Sequence, residues 1–231
     1  MSKDLCVAIA KMRREFKRHA KAKLLFLDET YVRIGTCQKH TLVAPGEQPY
    51  VVVDDTDAYA PRYDMIACCS GERVFPPIIF TPEERKGMNV KGIRKWMLLQ
   101  YIDNVLAQAV GALDLFPLTL AMDRSNIHNT EDILQAFHDR GCQDLQIVYL
   151  MPAYSAKRLS PLDNGIFHQW KNAVRKHPRI TKSNIVQIMS DEWNKIPPQS
   201  LMAHYHHSGL THRTDPYFDC PAPADHQHPP H

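Results

Sequence analysis

Apolar residues return along this chain with two different periods, and the switches between them mark its elements. Leu5, Ile9, Met12 and Phe16 follow at steps of four, three and four with lysines and arginines between them, which predicts a short basic amphipathic helix within residues 3–21. Leu24-Leu25-Phe26-Leu27 is a fully apolar run that stops at Asp28-Glu29-Thr30, the pattern of a buried strand with a carboxylate at its C-terminal tip. Between Tyr31 and Val53, β-branched and aromatic pieces alternate with Gly35 and Pro45-Gly46, predicting extended strands joined by turns. Asp54-Asp55-Thr56-Asp57 reads as a solvated acidic loop, because it lacks the glycine and distal glutamate of an EF-hand. Tyr63 to Cys69 and Arg73 to Phe80 are two further expected strands around the turn Ser70-Gly71-Glu72. The first half is therefore an antiparallel meander.

After Pro82 to Gly92, a polar and glycine-bearing stretch read as a loop, the period becomes helical. Trp96, Leu99, Ile102, Val105, Leu106, Ala109 and Val110 share one face of a helix from Ile93 to Ala112, which makes Trp96 a core residue. Leu118 to Met122 is a buried strand ending at Asp123. Thr130 is expected to cap a helix with Ile133, Leu134 and Phe137 inward and Gly141 as its stop, and Gln146 to Leu150 is another buried strand. A helix from Ser160 runs through Phe167, a core Trp170 and Val174, another covers Asn184 to Trp193, and Pro197-Pro198 precedes an amphipathic piece from Leu201 to His207. Helix, strand, helix, strand in the second half fits parallel crossovers added to the meander, so the fold class is α/β with a mixed sheet. The division expected is a basic helix over 1–22, one domain over 23–210, and a disordered Pro- and His-rich tail over 211–231.

Composition adds exclusions. Of 231 residues 44% are apolar, enough for a real core, and 28 Lys and Arg against 25 Asp and Glu leave a net charge of +3, so a polyanionic partner must be argued from where charges sit. Six cysteines occur without a C-x-x-C pair, which predicts a reducing compartment and no structural zinc. The N-terminus has too short an apolar core for a signal peptide and no run is long enough to span a bilayer, so the expected location is nuclear, or cytoplasmic in a prokaryote, away from membranes.

Two carboxylates at strand tips invite a third. Pro152-Ala153-Tyr154-Ser155 and Pro161-Leu162-Asp163-Asn164-Gly165-Ile166-Phe167 leave a strand and enter a helix, with Asp163 in its first turn. Together with Leu27-Asp28-Glu29-Thr30, and with Met122-Asp123 followed by His128, these segments resemble the catalytic domain of mariner-type DDE/D transposases over roughly residues 24–207. The resemblance implies an RNase H-like five-stranded fold, a DNA substrate, a homodimer, and Asp28, Asp123 and Asp163 as catalytic residues holding two Mg²⁺ or Mn²⁺ ions. Asp28 would bridge the ions, with Asp123 and Asp163 each completing one side. The chemistry agrees: three clustered aspartates repel unless a hard dication compensates them, and two such ions suit in-line attack on a phosphodiester.

Each acid also has a structural reading. Asp163 could be the acid of a capping box begun by Ser160 with Pro161 as the first helical residue, and Asp28 and Asp123 could be turn acids. Glu29 should face away from Asp28, as strand neighbours do. Lys157, Arg158, Arg124 and His128 are the candidate nucleic-acid contacts, with His128 also a hydrogen-bonding partner near the site. The pattern departs from the family at Arg124, a cation positioned to pair with Asp123, in a loop from Tyr154 to Asp163 about one residue longer than usual, and in an aspartate as last acid, with 39 residues between Asp123 and Asp163. Only about twenty residues precede the first strand, so the paired helix-turn-helix units of full-length relatives are expected to be absent.

Overall fold

The computed structural model describes residues 2–34, 60–142 and 145–212. The expected strands between Gly35 and Val53, the acidic loop at 54–57 and nearly all of the tail lie outside the described residues.

Helix α1 (Lys3–Lys17) is capped by the Ser2 hydroxyl, which accepts from Leu5 N, and Ile9 and Phe16 are its buried residues. At its other end the buried Lys21 ammonium donates to the carbonyls of Phe16, Lys17 and His19, satisfying orphan acceptors where the helix dipole favours a cation. Strands β1 (Leu24–Arg33), β2 (Arg62–Cys69) and β3 (Ile78–Phe80) form the antiparallel meander. The Ser70–Arg73 turn joins β2 to a bridge at Val74. Residues 82–87 are helix α2 (Pro82–Gly87), not loop: Thr81 and Glu84 form a reciprocal capping box with Pro82 at the first turn, which outweighs the polar composition.

Helix α3 (Lys95–Tyr101) passes through a π turn (Ile102–Leu106) into α4 (Ala107–Ala112), so the expected helix exists with one wide turn. That change of register, with Trp96 in the first turn, leaves its ring 47% exposed instead of in the core. Strand β4 (Leu118–Met122) leads to α5 (Thr130–His138), whose cap is Asn129 and not Thr130; Asn129 Oδ1 accepts from Asp132 N at 3.0 Å. Gly141, at φ +76°, lets Gly141 N and Cys142 N turn back onto the carbonyls of His138 and Phe137 and end the helix. Strand β5 (Leu145–Leu150) follows, then α6 (Ala156–Leu159), a second π turn (Leu162–Ile166), α7 (Phe167–Arg175), α8 (Ile185–Asn194) and α9 (Pro198–His207).

The sheet order is β3-β2-β1-β4-β5, with β1, β4 and β5 parallel, as the pattern of periods predicts. Alternation along β1 sends Leu24 and Phe26 to one core and Leu25 and Leu27 to the other. The first core holds Trp170, Trp193 and Tyr205, whose hydroxyl donates to Leu24 O at 2.8 Å and ties α9 to β1. The second holds Met97, Tyr101, Ile133 and Phe137. Trp170 is fully buried, as expected, and donates its indole N–H to Met189 O. Among the described residues no helix is long and apolar enough to cross a membrane.

Candidate active site

Strand β1 does not stop at Asp28. It continues five residues further, paired only with β2 from Asp28↔Ala67 to Arg33↔Arg62, while its parallel pairing with β4 ends at Phe26↔Ala121. Asp28 is therefore a mid-strand residue set just past the point where β1 and β4 part, and its alternation with Phe26 places it on the α7–α9 face. Asp123 is the first residue after β4, and Asp163 lies in the second π turn.

These three carboxylates act on one another. Asp28 is buried and accepts a hydrogen bond from Glu29 N at 2.7 Å. Burial first, then the charges of Asp163, Glu29 and Asp123, push its carboxyl well above the usual aspartate range. Asp163 has an open side and a side pressed against protein. Loss of water there, then Asp123, raises it, while Lys157 and Lys171 work in the opposite direction. Ser160 Oγ accepts from Asp163 N at 3.5 Å, but the Ser160 N–H goes to Ala156 O at 2.7 Å, so the reciprocal half of a capping box is not made by the Asp163 carboxylate.

His128 is folded back under Asp123 by a turn in which His128 N donates to Ser125 O. Its side chain is wholly buried, with Nδ1 2.9 Å from both the backbone carbonyl and Oδ1 of Asp123, and Nε2 3.0 Å from Glu29 Oε1. Burial disfavours the charged ring, yet the hydrogen bonds to Asp123 and Glu29 outweigh it and lift His128 to about 10. An imidazolium with both N–H groups directed at protein oxygens has nothing left for a phosphate. His128 makes the hydrogen bond near the site that the sequence predicts, to Asp123.

Glu29 does face away from Asp28, and that is why it reaches His128 from the other side of the strand. Sequence reasoning missed this partnership, and it missed Lys171, which lies near both Asp28 and Asp163 and is held below the usual lysine range by burial first, then Arg175, against the pull of the two acids. The signal for Lys171 was its place about two turns after Asp163 on the same predicted helix. Arg124 is exposed and, among the described residues, pairs with no carboxylate, so the expected contact with Asp123 is not made. Lys157 and Arg158 are exposed on α6.

The donor set of Asp28, Asp123 and Asp163 is all oxygen, and burial first, then the neighbouring acids, raises the Asp28 and Asp163 carboxyls, with Lys157 and Lys171 offsetting part of this at Asp163. That chemistry fits a hard divalent ion. Among the described residues no three His, Cys, Asp or Glu side chains are drawn close enough to form a ready-made cage.

No family profile matches the sequence, and no curated protein matches it. Solved structures do. The chain is similar to the Mos1 mariner paired-end complex with Mn (11% identity, TM-score 0.70, covering 90% of this chain and 60% of that one). It is similar to the Mos1 strand transfer complex (13%, 0.66, 89% and 57%) and to the catalytic domain of Mos1 mariner transposase alone (11%, 0.60, 90% and 87%). The chain thus spans about three fifths of the longer Mos1 chains and most of the isolated domain. At these identities the likeness shows the fold: a mixed five-stranded, RNase H-like sheet flanked by helices.

Proposed function

We propose, on the premise that this chain has the fold of a mariner transposase catalytic domain, that it is a metal-dependent DNA endonuclease and strand-transfer domain acting through Asp28, Asp123 and Asp163. The observation that carries this reading is the placement of the three aspartates: Asp28 just past the point where β1 and β4 diverge, Asp123 directly after β4, and Asp163 in the π turn that packs on β1. The solved relatives include complexes named for strand transfer and paired ends, and forms with Mn or Mg, which supports DNA as partner and a divalent cation as cofactor.

Asp28, Asp123 and Asp163 would hold two Mg²⁺ or Mn²⁺ ions. When bound, such ions activate a water or terminal hydroxyl and stabilise the leaving oxygen of a phosphodiester. The chain's own residues do the rest. His128 fixes the orientation of Asp123 and keeps a positive charge beneath it. Lys171 and Lys157 offset the charge of Asp163 from two sides. Exposed Lys157 and Arg158 supply cations to grip the phosphates on either side of the cut.

The test is Mn²⁺-supported nicking of plasmid DNA by the purified chain and by Asp123→Ala. Removing a carboxylate that places the ion should lower cleavage about 10³-fold or more, because the ion supplies several kcal/mol of stabilisation. Equal nicking by both proteins would sink the proposal, and DNA binding without nicking by either would favour a domain whose catalysis has decayed.

A further inference from the structure

Beside the acids runs a feature that cleavage does not explain. A hollow of about 450 Å³ is lined by Arg13, Tyr154, Lys157, Arg158, Asn164 and His207. A second, of about 370 Å³, has Arg13, Arg14, Lys17 and Arg158 around the apolar floor of Ile9 and Ala10. Arg13 and Arg158 line both, so the two hollows adjoin as a basic trough along the seam between α1 and α6, and Asn164 in its lining is next in sequence to Asp163. Among the described residues no carboxylate lines either hollow.

The trough is built, not incidental. Arg13 donates Nε to Ser208 O and Nη2 to Arg158 O, both at 3.0 Å, so its guanidinium is held in place by backbone carbonyls. Among the described residues no ion pair is made by Arg14, Lys17 or Arg158, although Glu15 between the first two pairs with Arg18. At the mouth stands Tyr154, 94% exposed. Its backbone is in the left-handed region, at φ +64°, which is uncommon for a residue with a Cβ. The turn is held there by Ser155, whose hydroxyl and N–H both donate to Pro152 O. A strained backbone that displays an aromatic ring to water contributes nothing to the core. It does present a stacking platform above a cationic track.

We propose that this trough binds an unpaired DNA strand running from the acid cluster towards α1, with Tyr154 stacked on a base and Arg13, Arg14, Lys17 and Arg158 on successive phosphates. A duplex hides its base faces, so a ring displayed in this way is rewarded by unstacked bases, while the cations alone would serve either form. The inference rests on DNA being the partner named above.

The test is fluorescence anisotropy with the full chain in EDTA, so that no cleavage is involved, on a single strand, a blunt duplex, and the same duplex with a single-stranded tail. Tyr154→Ala should weaken the strand and the tailed duplex about tenfold and the blunt duplex less than about twofold, and Tyr154→Phe should restore binding. Arg14→Glu combined with Lys17→Glu should weaken all three and lower the single-strand salt slope by about 0.7 for each phosphate no longer neutralised. All three side chains lie at the surface, and unchanged melting temperatures would show that the fold is intact. If Tyr154→Ala leaves the tailed duplex unaffected, or weakens blunt and tailed duplexes alike, the stacking proposal is overturned. Should that happen while the chain still nicks DNA, the trough fails and the nuclease reading stands. Binding to none of the three DNAs would overturn both.

Discussion

Asp28 and Asp123 sit at the ends of neighbouring parallel strand pairs and belong to one cluster, yet the protein treats them in opposite ways. Asp28 is buried, faces three other acids, and among the described residues receives the N–H of the next residue. Asp123 is partly open to solvent and rests on a histidine held in its charged form. Asp123 has a cation in hydrogen-bond contact, whereas Asp28 has only the longer-range charge of Lys171, itself held low by burial. The difference teaches where an external cation has most to offer: Asp28 is the acid whose ionisation the fold opposes, so it gains most from a bound dication.

Removing the built-in partner should have the largest effect on stability. His128→Ala leaves Glu29 and Asp123 facing an empty space, and loss of one member of a buried pair should cost about 3 kcal/mol, or roughly 6–12 °C in Tm for a chain of this size. The sign with pH follows from the raised folded value. Stabilisation by His128 is complete below about 6.5 and is lost as pH rises through about 10, so alkaline unfolding of the wild type should show a fall in this range that His128→Gln lacks, read by thermal melts in a pH series.

Relieving the buried Asp28 should act the other way and more weakly. With its folded carboxyl raised above the ordinary 3.8, Asp28 binds a proton more readily when folded, and stability falls as pH climbs from that value through the raised one. Asp28→Asn should therefore raise Tm at neutral pH by a few degrees, at about 2–4 °C per kcal/mol relieved, while nicking is lost. Mn²⁺ should stabilise the wild type in the same melts and the Asn variant less. An Asn variant that melts below the wild type at pH 7 would contradict the contrast between the two acids.

The smallest effect belongs to Arg124. Exposed and unpaired with Asp123, it should be replaceable by Ala with a change within about 0.5 kcal/mol in urea unfolding. A larger loss would mean that Asp123 leans on two cations instead of one.

Much of this arrangement was legible because the apolar periods are strong. Strands β2, β4 and β5, the meander, the parallel crossovers and the acids after Leu27 and Met122 follow from them, while the stretch from Arg73 to Phe80 forms a strand only at Ile78–Phe80 and Asp163 is singled out by a family motif. What escaped was decided by contacts rather than periods. The acids at 28 and 29 masked a strand whose Thr30, Tyr31 and Val32 are good β-formers, and pairing with β2 carried it on. Helix α2 was written in Thr81-Pro82-Glu83-Glu84, a capping signal that polar composition obscured. Trp96 fits an apolar stripe but sits in the first turn of α3, where the sheet does not reach. The bond between Glu29 and His128 joins residues 99 positions apart, a separation no local pattern encodes.

Gly165 lies two residues beyond Asp163, and a Cβ there would collide with the His204 ring of α9. That ring is itself held by Gln169 at 2.9 Å. Helix α9 is in this sense the mould against which the turn bearing the third acid is cast. Removing the segment after Pro197 would release the turn that bears Asp163 and, with Tyr205 gone, would also take the hydroxyl that anchors Leu24 of β1, so the third acid and the strand that carries the first lean on one helix.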